Sequence, residues 1–195
     1  IPKGDPNQVE KALQVLLKAK RPAILVGEEV QQLGGTQQIV ELAEKLGAAV
    51  VTSDGAKGAF PEDHAQSLGQ IMGKRIWGEN PVQDWLGTCD LVVVLGSILP
   101  QRSTSGIGLQ LPKEMVHVLL DGEAIGKNYP VTVPIVANSQ AVVQQWLEAI
   151  GDQDVHKGKA FQEDISAIRS NMRERLEDTW SNELRVYETV REVTP

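Results

Sequence analysis

The sequence has little cysteine, few aromatic residues and no long apolar run: one of its 195 residues is cysteine and 4% are aromatic. The single cysteine, Cys89, cannot form an internal disulfide, and with three scattered histidines it cannot complete a zinc site. Apolar runs such as residues 91–95 are far shorter than the roughly 20 residues that a membrane-spanning helix needs. We therefore expect a protein of the reducing cytoplasm, with neither a transmembrane helix nor a metal site of its own.

The sequence also has fewer positively charged than negatively charged residues. The chain has 19 Lys and Arg residues against 26 Asp and Glu residues, a formal net charge of −7. That sign disfavours phosphate backbones and anionic lipid, so we expect no nucleic acid and no membrane as partners. The first residues, 1–4, contain neither a start methionine nor the pattern of a signal peptide. We expect the chain to be a piece of a longer polypeptide.

Residues 1–150 alternate between helical and extended apolar periods, which predicts a doubly wound, mostly parallel α/β sheet. The predicted strands are 22–27, 48–52, 91–96, 115–121 and 133–137. The last is expected at an edge because Pro134 cannot donate to a neighbouring strand. Helix caps are predicted at Asp5, Asn80 and Asn138, and a C-terminal glycine cap at Gly47. Residues 53–80 are predicted to be a long glycine-rich loop.

Residues 151–195 differ in character from the rest of the chain. An apolar stripe recurs there at steps of three and four residues, which predicts a long helix, bent or broken near residues 181 and 182. The stripe consists of Phe161, Ile165, Ile168, Met172, Leu176, Trp180, Leu184 and Tyr187. Two interpretations stay open. The helix packs back on the sheet, or it is an arm that docks on a neighbouring domain.

The candidate site is the carboxyl edge of the sheet, where open α/β sheets bind ligands. A glycine follows most of the predicted strands there, which fits either a nucleotide crevice or ordinary turns, and spacing alone favours ordinary turns. Glu28 and Glu29 follow the first strand and would repel a phosphate. No Gly-x-Ser-x-Gly motif is present, and His64 and His117 are interpreted as a hydrogen-bonding loop residue and a core residue. The sequence therefore predicts no catalytic residue.

Several segments, taken in order, carry a family resemblance. They are KRPAILVG (20–27), LAEKLGAAVVT (42–52), DGAKGAFPEDH (54–64), LG (68–69), CDLVVVLGS (89–97) and LDGEAIGKNY (120–129). The series resembles the central domain of thiamine diphosphate-dependent enzymes, the family of acetolactate synthase, oxalyl-CoA decarboxylase, benzoylformate decarboxylase and pyruvate oxidase. The resemblance implies a six-stranded Rossmann-like (DHS-like NAD/FAD-binding) fold in residues 1–150, with residues 151–195 as a helical connector.

The resemblance also implies where the chemistry of the complete enzyme lies. Thiamine diphosphate and magnesium would be held by missing pyrimidine- and diphosphate-binding domains of the same polypeptide, in a homodimer or homotetramer. The Gly-Asp-Gly motif of the magnesium site is not matched by residues 151–153, which read Gly-Asp-Gln. We therefore expect the central domain of a decarboxylase or carboligase acting on 2-oxo acids, inactive in isolation.

In some members of that family the central crevice holds ADP or FAD. The resemblance points to the cofactor-binding positions Gly27, Glu28, Thr52, Ser53, Leu68, Gly69, Gly96, Ser97, Asp121 and Gly122, with Arg102 as the nearby guanidinium. Flavin-binding relatives have a glycine where Glu28 and Glu29 stand, and an arginine where Ile98 stands. FAD is therefore disfavoured, and an adenine nucleotide or no ligand is expected.

Two other functions compete with this interpretation. One is a stand-alone module that binds a nucleotide or coenzyme A in the same crevice. The other is an NAD-dependent deacylase, which ranks last because one cysteine cannot supply the zinc module that such enzymes usually carry.

Overall fold

One parallel sheet organises the molecule. The computed structural model describes residues 1–71, 81–101, 104, 106–156 and 160–193. Within these residues the strands are β1 (Pro22–Val26), β2 (Ala49–Thr52), β3 (Ser67–Gln70), β4 (Leu91–Leu95), β5 (Glu114–Leu119) and β6 (Val133–Val136). They pair in the order β3-β2-β1-β4-β5-β6, and every pair is parallel. The predicted doubly wound α/β fold is confirmed.

Helices cover both faces of the sheet. They are α1 (Pro6–Lys18), α2 (Glu28–Leu33), α3 (Thr36–Leu46), α4 (Pro81–Leu86), α5 (Ser139–Ile150) and α6 (Ala160–Val193). Helices α1, α3 and α5 share one apolar core with one face of the strands, and Trp146 lies fully buried in it. The opposite face packs against α4 and the beginning of α6. This layering leaves β1 and β4 buried along their whole length, as strands of a parallel sheet require.

Local capping chemistry fixes the helix ends that the sequence predicts. The Asp5 carboxylate accepts from the N–H groups of residues 7 and 8, directly before Pro6 at the first helical position. Asn138 accepts from the Ala141 N–H at the start of α5. Gly47 ends α3 with a φ of +65°, which a glycine adopts without steric cost. Asn80, the predicted cap of α4, lies outside the described residues.

The prediction of an unbroken loop over residues 53–80 is wrong. The described part of that segment contains a short 3₁₀ turn (Asp54–Ala56) and β3, which pairs with β2 across a register shift after Val50. Sequence periodicity missed β3 because it has only four residues and includes Gly69 with a φ of +76°. The strand forms because the edge of β2 supplies its hydrogen-bonding partners and Leu68 enters the core.

Helix α6 folds back on itself at Trp180, whose φ of −133° and ψ of 36° are not helical. A guanidinium nitrogen of Arg173 lies 2.8 Å from the Glu188 carboxylate. In a straight helix these two residues would be about 22 Å apart along the axis, because each residue rises about 1.5 Å. Their contact therefore requires a helical hairpin with its corner at Trp180, one residue before the predicted break.

The first half of α6 is part of the packed molecule. Ile165 is only 2% exposed, and Ile168 and Met172 pack against the same core. Asp164 accepts hydrogen bonds from the Arg21 guanidinium (2.7 Å) and the Trp85 indole N–H (3.1 Å). The first interpretation of the apolar stripe, packing against the sheet, therefore holds for the half before Trp180, whereas residues beyond Trp180 are mostly exposed.

A second contact fastens α6 to the segment before β3. The Arg169 guanidinium donates to the backbone carbonyls of Glu62 (3.1 Å) and His64 (2.6 Å). The helix thereby ties down the segment that leads into β3. None of the helices in the described ranges is both long and apolar enough to cross a bilayer.

Candidate functional site

The turns after β1 and β4 meet at the carboxyl edge, at the point where the strand order reverses. The Gly27 N–H donates to the Leu95 carbonyl at 2.8 Å. A Cβ at Gly27 would lie 2.3 Å from both the Gly96 carbonyl oxygen and the Ser97 Cβ. Gly27 is therefore required by the close approach of two backbones. The space beside it is filled by protein rather than left for a ligand.

The first residues of α2 also pack against the turn after β4. The Glu29 N–H donates to the Gly96 carbonyl at 3.0 Å. Gly96 itself has a φ of +69°, and a Cβ there would lie 2.8 Å from the Glu29 Cβ. A pyrophosphate bound at this turn would need the space and the N–H group that Gly96 already uses. The turn between β1 and β4 therefore does not fit the phosphates of a dinucleotide.

Glu29 extends this closure to the end of β5. Its Oε2 accepts from the Leu120 N–H at 3.1 Å, so the side chain reaches from the β1 turn past β4 to the β5 turn. Its Oε1 is buried and has no hydrogen-bonding partner among the described residues. Burial raises the pKa of this carboxyl, and the hydrogen bond from Leu120 partly opposes that rise.

Glu28 has a different role from its neighbour. Its side chain lies against Gly55 in the 3₁₀ turn, where a Cβ would come within 2.4 Å of the Glu28 Cγ. Glu28 therefore joins the β1 turn to the β2 turn, whereas Glu29 joins the β1 turn to the β5 turn. Sequence reasoning treated both carboxylates as charges that repel a phosphate and, from the resemblance, named Glu28 but not Glu29 as a cofactor-binding position.

Two hydroxyl groups lie buried at the end of β2. Thr52 is 3% exposed and Ser53 is fully buried, yet neither Oγ has a hydrogen-bonding partner in the described part of the chain. The Ser53 N–H and carbonyl are used, by the Val26 carbonyl and the Ala56 N–H respectively. Buried hydroxyls without partners are costly, so this is the part of the edge with unused capacity for a polar ligand.

The remaining predicted positions serve local structure. The Ser97 hydroxyl accepts from the Leu99 N–H at 3.1 Å, and the exposed Asp121 accepts from the Glu123 N–H at 3.0 Å. Leu68 is buried in the core beneath β3, and the Gly69 N–H donates to the Ser67 hydroxyl. Gly122 packs near Val136. Arg102 lies outside the described residues.

Neither described histidine near the sheet is arranged as a catalytic base. His117 is 2% exposed, and burial lowers its pKa despite the contact of Nε2 with the Ser97 carbonyl at 2.8 Å. His64 lies 3.3 Å from a Glu44 carboxylate oxygen and accepts from the Gln66 N–H. Both residues have the structural roles that the sequence predicts.

Two other kinds of site, a reactive cysteine and a metal site, find little support among the described residues. Burial raises the pKa of the Cys89 thiol to about 12, so the reactive thiolate is scarce at neutral pH. Among the residues that the structure describes, no three His, Cys, Asp or Glu side chains lie close enough to hold a metal ion.

Comparison with known proteins identifies the family that this fold represents. Residues 9–146 match the model of the thiamine pyrophosphate enzyme central domain. The chain belongs to this family. The probable acetolactate synthase large subunit of Methanocaldococcus jannaschii is 29% identical over 85% of the chain, and acetolactate synthase isozyme 3 large subunit of Escherichia coli is 30% identical over 79%. Acetolactate synthase of Mycobacterium bovis is 34% identical over 71%.

The chain spans only 28%, 26% and 22% of the lengths of these three relatives. An X-ray structure from Mycobacterium smegmatis, described as that of a thiamin diphosphate-dependent enzyme, superposes on 78% of the chain with a TM-score of 0.61 and 26% identity. The chain again covers only 30% of that protein. The resemblance predicted from the ordered segments is therefore confirmed.

One feature of this central domain was not accessible from the sequence. The hydrogen bond between Glu29 and the Leu120 amide joins residues 91 positions apart, and no local sequence pattern predicts it. The available signal was the acidic pair directly after Gly27. It indicated an unusual turn but not which carboxylate would cross the sheet edge.

Proposed function

We propose that this chain works as the central domain of a cytoplasmic thiamine diphosphate-dependent enzyme of the acetolactate synthase type, a decarboxylase or carboligase of 2-oxo acids. Thiamine diphosphate and magnesium would lie on other domains of the same polypeptide, in a homodimer or homotetramer. The family match over residues 9–146 carries this proposal, together with the small share of each relative that the chain spans.

The contribution of this domain would be architectural. The turns at its carboxyl edge are occupied by one another, and the side chains there hold the β1, β4 and β5 turns in fixed positions. The first half of α6 is fastened to the sheet layer through Asp164 and Arg169. A rigid body of this kind would hold catalytic domains at a set separation without supplying a reacting group.

Calorimetry on the chain alone tests the proposal. Thiamine diphosphate with magnesium is titrated into the 195-residue chain, and turnover of pyruvate is assayed, with Escherichia coli acetolactate synthase isozyme 3 as the positive control. We expect neither saturable binding nor product from the chain. Tight thiamine diphosphate binding or turnover of a 2-oxo acid by the chain alone would contradict the architectural role.

A chimera supplies the positive arm of the test. Residues 5–150 replace the aligned segment of the Escherichia coli large subunit, and acetolactate formation is measured against added thiamine diphosphate. We expect cofactor-dependent activity in a folded chimera. A folded, correctly assembled chimera that binds the cofactor no better than the isolated chain would count against the proposal.

A second candidate function, a nucleotide- or coenzyme A-binding module, is favoured by one observation. The Thr52 and Ser53 hydroxyls at the end of β2 are buried and have no hydrogen-bonding partner among the residues that the structure describes. Thermal-shift assays with ADP, FAD, NAD and coenzyme A test this candidate, because a ligand at about 100 times its Kd stabilises the folded state by about 2.7 kcal/mol. No shift with any of the four ligands would rule this module out.

A further inference from the structure

The carboxylate of Glu29 reaches a backbone N–H group at the carboxyl edge of the sheet, directly after β5. In open α/β folds a ligand's anionic group is held by backbone N–H groups at the carboxyl ends of the strands. The Leu120 N–H, directly after β5, is such a group. It donates at 3.1 Å to Oε2 of Glu29. The donor that would bind a ligand oxygen is thus already satisfied by the chain's own side chain.

The route of the side chain explains how it closes the edge. Glu29 lies above Gly96, at the end of β4, and its N–H is held by the Gly96 carbonyl at 3.0 Å. From there the carboxylate reaches the β5 turn, so one residue spans the ends of three adjacent strands. Its second oxygen, Oε1, is buried and has no partner in the described ranges. A ligand phosphate would have to displace this charge or share its space.

We propose that Glu29 is a built-in anion that determines ligand specificity at this edge: it occupies the position beside the Leu120 amide and so excludes the phosphates of nucleotides from the turn after β5. This inference concerns the chemistry of the crevice and does not depend on the proposed function.

Glu28 provides a matched control. It carries the same charge one residue earlier, but its side chain lies against Gly55 on the β2 side. If Glu29 acted only through charge, removing either carboxylate would have a similar effect on anion binding. If Glu29 acts by occupying the Leu120 amide, only its removal opens the site.

The test titrates inorganic pyrophosphate and ADP into the isotopically labelled 195-residue chain, with backbone amide shifts as the readout. The variants are E29A, E29Q and E28A. We expect E29A to bind pyrophosphate about tenfold or more tightly than wild type, with a shift of the Leu120 amide, because loss of a charged hydrogen-bond acceptor frees that donor. E29Q, whose amide oxygen still accepts from Leu120, and E28A are expected to bind at most about threefold more tightly than wild type.

Several results would overturn the proposal. Wild-type chain that binds ADP as tightly as the E29A chain does, with shifts at Gly27 and Leu120, would contradict the exclusion of nucleotide phosphates. Equal gains in E29Q and E29A, or in E28A and E29A, would show that charge alone governs binding. Unchanged pyrophosphate affinity in a folded E29A chain would show that Glu29 excludes nothing.

Discussion

Gly27 and Gly122 both follow strands at the carboxyl edge, but the structure gives them different constraints. A Cβ at Gly27 would lie 2.3 Å from backbone and Cβ atoms of the turn after β4. These atoms cannot move away unless β4 itself moves. A Cβ at Gly122 would meet only a Val136 methyl group, at 3.1 Å. The same residue type therefore has an essential packing role at one position and a minor one at the other.

This difference predicts unequal effects of alanine substitution. Gly27→Ala is expected to lower the free energy of unfolding by about 3 kcal/mol or more, because overpacking against fixed backbone is not relieved by side-chain motion. Gly122→Ala is expected to change it by less than about 1 kcal/mol. Urea denaturation of the two variants checks the prediction. Equal stability of both would contradict the tight approach of the β1 and β4 turns.

Asp164 is the charged residue on which the attachment of α6 depends. Its partial burial disfavours the ionised form, but the hydrogen bonds from Arg21 and Trp85 and the charge of Arg21 outweigh that effect and lower its pKa. Its side chain is 35% exposed, so solvent screens part of the interaction. Asp164 is not part of the apolar stripe, and the stripe alone could not identify its partners.

Asp164→Ala is expected to reduce the free energy of unfolding by about 1–2 kcal/mol at neutral pH. Because the folded pKa lies below the ordinary value of 3.8, the stabilisation is complete above that value and is lost as the pH falls through the folded pKa. The difference between wild type and variant should therefore vanish in strong acid. Asp178→Ala, on the exposed part of the same helix, is the control and should be neutral. A wild-type advantage that grows in acid would contradict the assignment.

Among the elements, α6 has a bend whose geometry its local sequence pattern does not define. The apolar stripe continues through Trp180 without glycine or proline, and the sequence predicts a long helix that is bent or broken near residues 181 and 182. The observed hairpin brings Arg173 against both Glu177 and Glu188 at 2.8 Å. Only the Glu188 pair crosses the corner, and as an exposed ion pair it contributes little to stability.

Spin labels at positions 170 and 191 test the hairpin. Both residues are exposed, and the buried Cys89, whose pKa is about 12, should not compete for the label. We expect a distance of about 10–15 Å for packed helices, against about 31 Å for a straight helix. Glu188→Gln should raise the extended population about two- to fivefold, since one surface ion pair is lost.

Glu177→Gln is the control for this measurement because it removes a partner of Arg173 on the same side of the corner. It should leave the distance distribution unchanged. A single distance near 31 Å in the wild-type chain would contradict the hairpin.

At the scale of the whole molecule, the sheet needs part of α6 to complete its second layer. Ile165 lies in the core with α4 and the strands, and Ile168 and Met172 pack against it. The helix corner at Trp180 separates this packed part from a mostly exposed part. The unit that resists unfolding should therefore extend past residue 150, into the segment that the sequence assigns to a connector.

Shortened chains distinguish the two parts. A chain ending at residue 180 should keep the stability of the full chain within about 1 kcal/mol, because it loses mainly exposed surface. A chain ending at residue 150 should lose about 3 kcal/mol or more, because the apolar face beneath α6 becomes exposed to water. Thermal and urea unfolding of both chains provide the measurement. Equal stability of the two would contradict a structural role for residues 160–180.

Much of the architecture could be read from local patterns. Asp5 with Pro6, Gly47 and Asn138 marked helix ends because capping is a short-range interaction. The buried strands were predictable because each is a run of apolar residues. Strand β3 and helix α2 escaped detection because each is short, with four and six residues, and is stabilised by neighbours distant in sequence.

The candidate site was only partly predictable. Its positions followed from the rule that turns at strand ends share one edge, and the structure does bring Gly27, Gly96 and Ser97 together. What they do there was not predictable, because the contacts are made between turns more than 65 residues apart. At Gly27 and Gly96 the missing side chains allow the two turns to approach each other closely, which fits the ordinary turns that spacing alone favours.

By itself the sequence determined the fold class, the helix ends and the family, because these follow from local periodicity, capping and an ordered series of segments. Tertiary structure decided which half of α6 belongs to the core, which carboxylate crosses the sheet edge and how closely the β1 and β4 turns approach each other. The physical reason is that those outcomes depend on distances between residues far apart in the chain. Such distances exist only once the sheet has brought its strand ends into one plane.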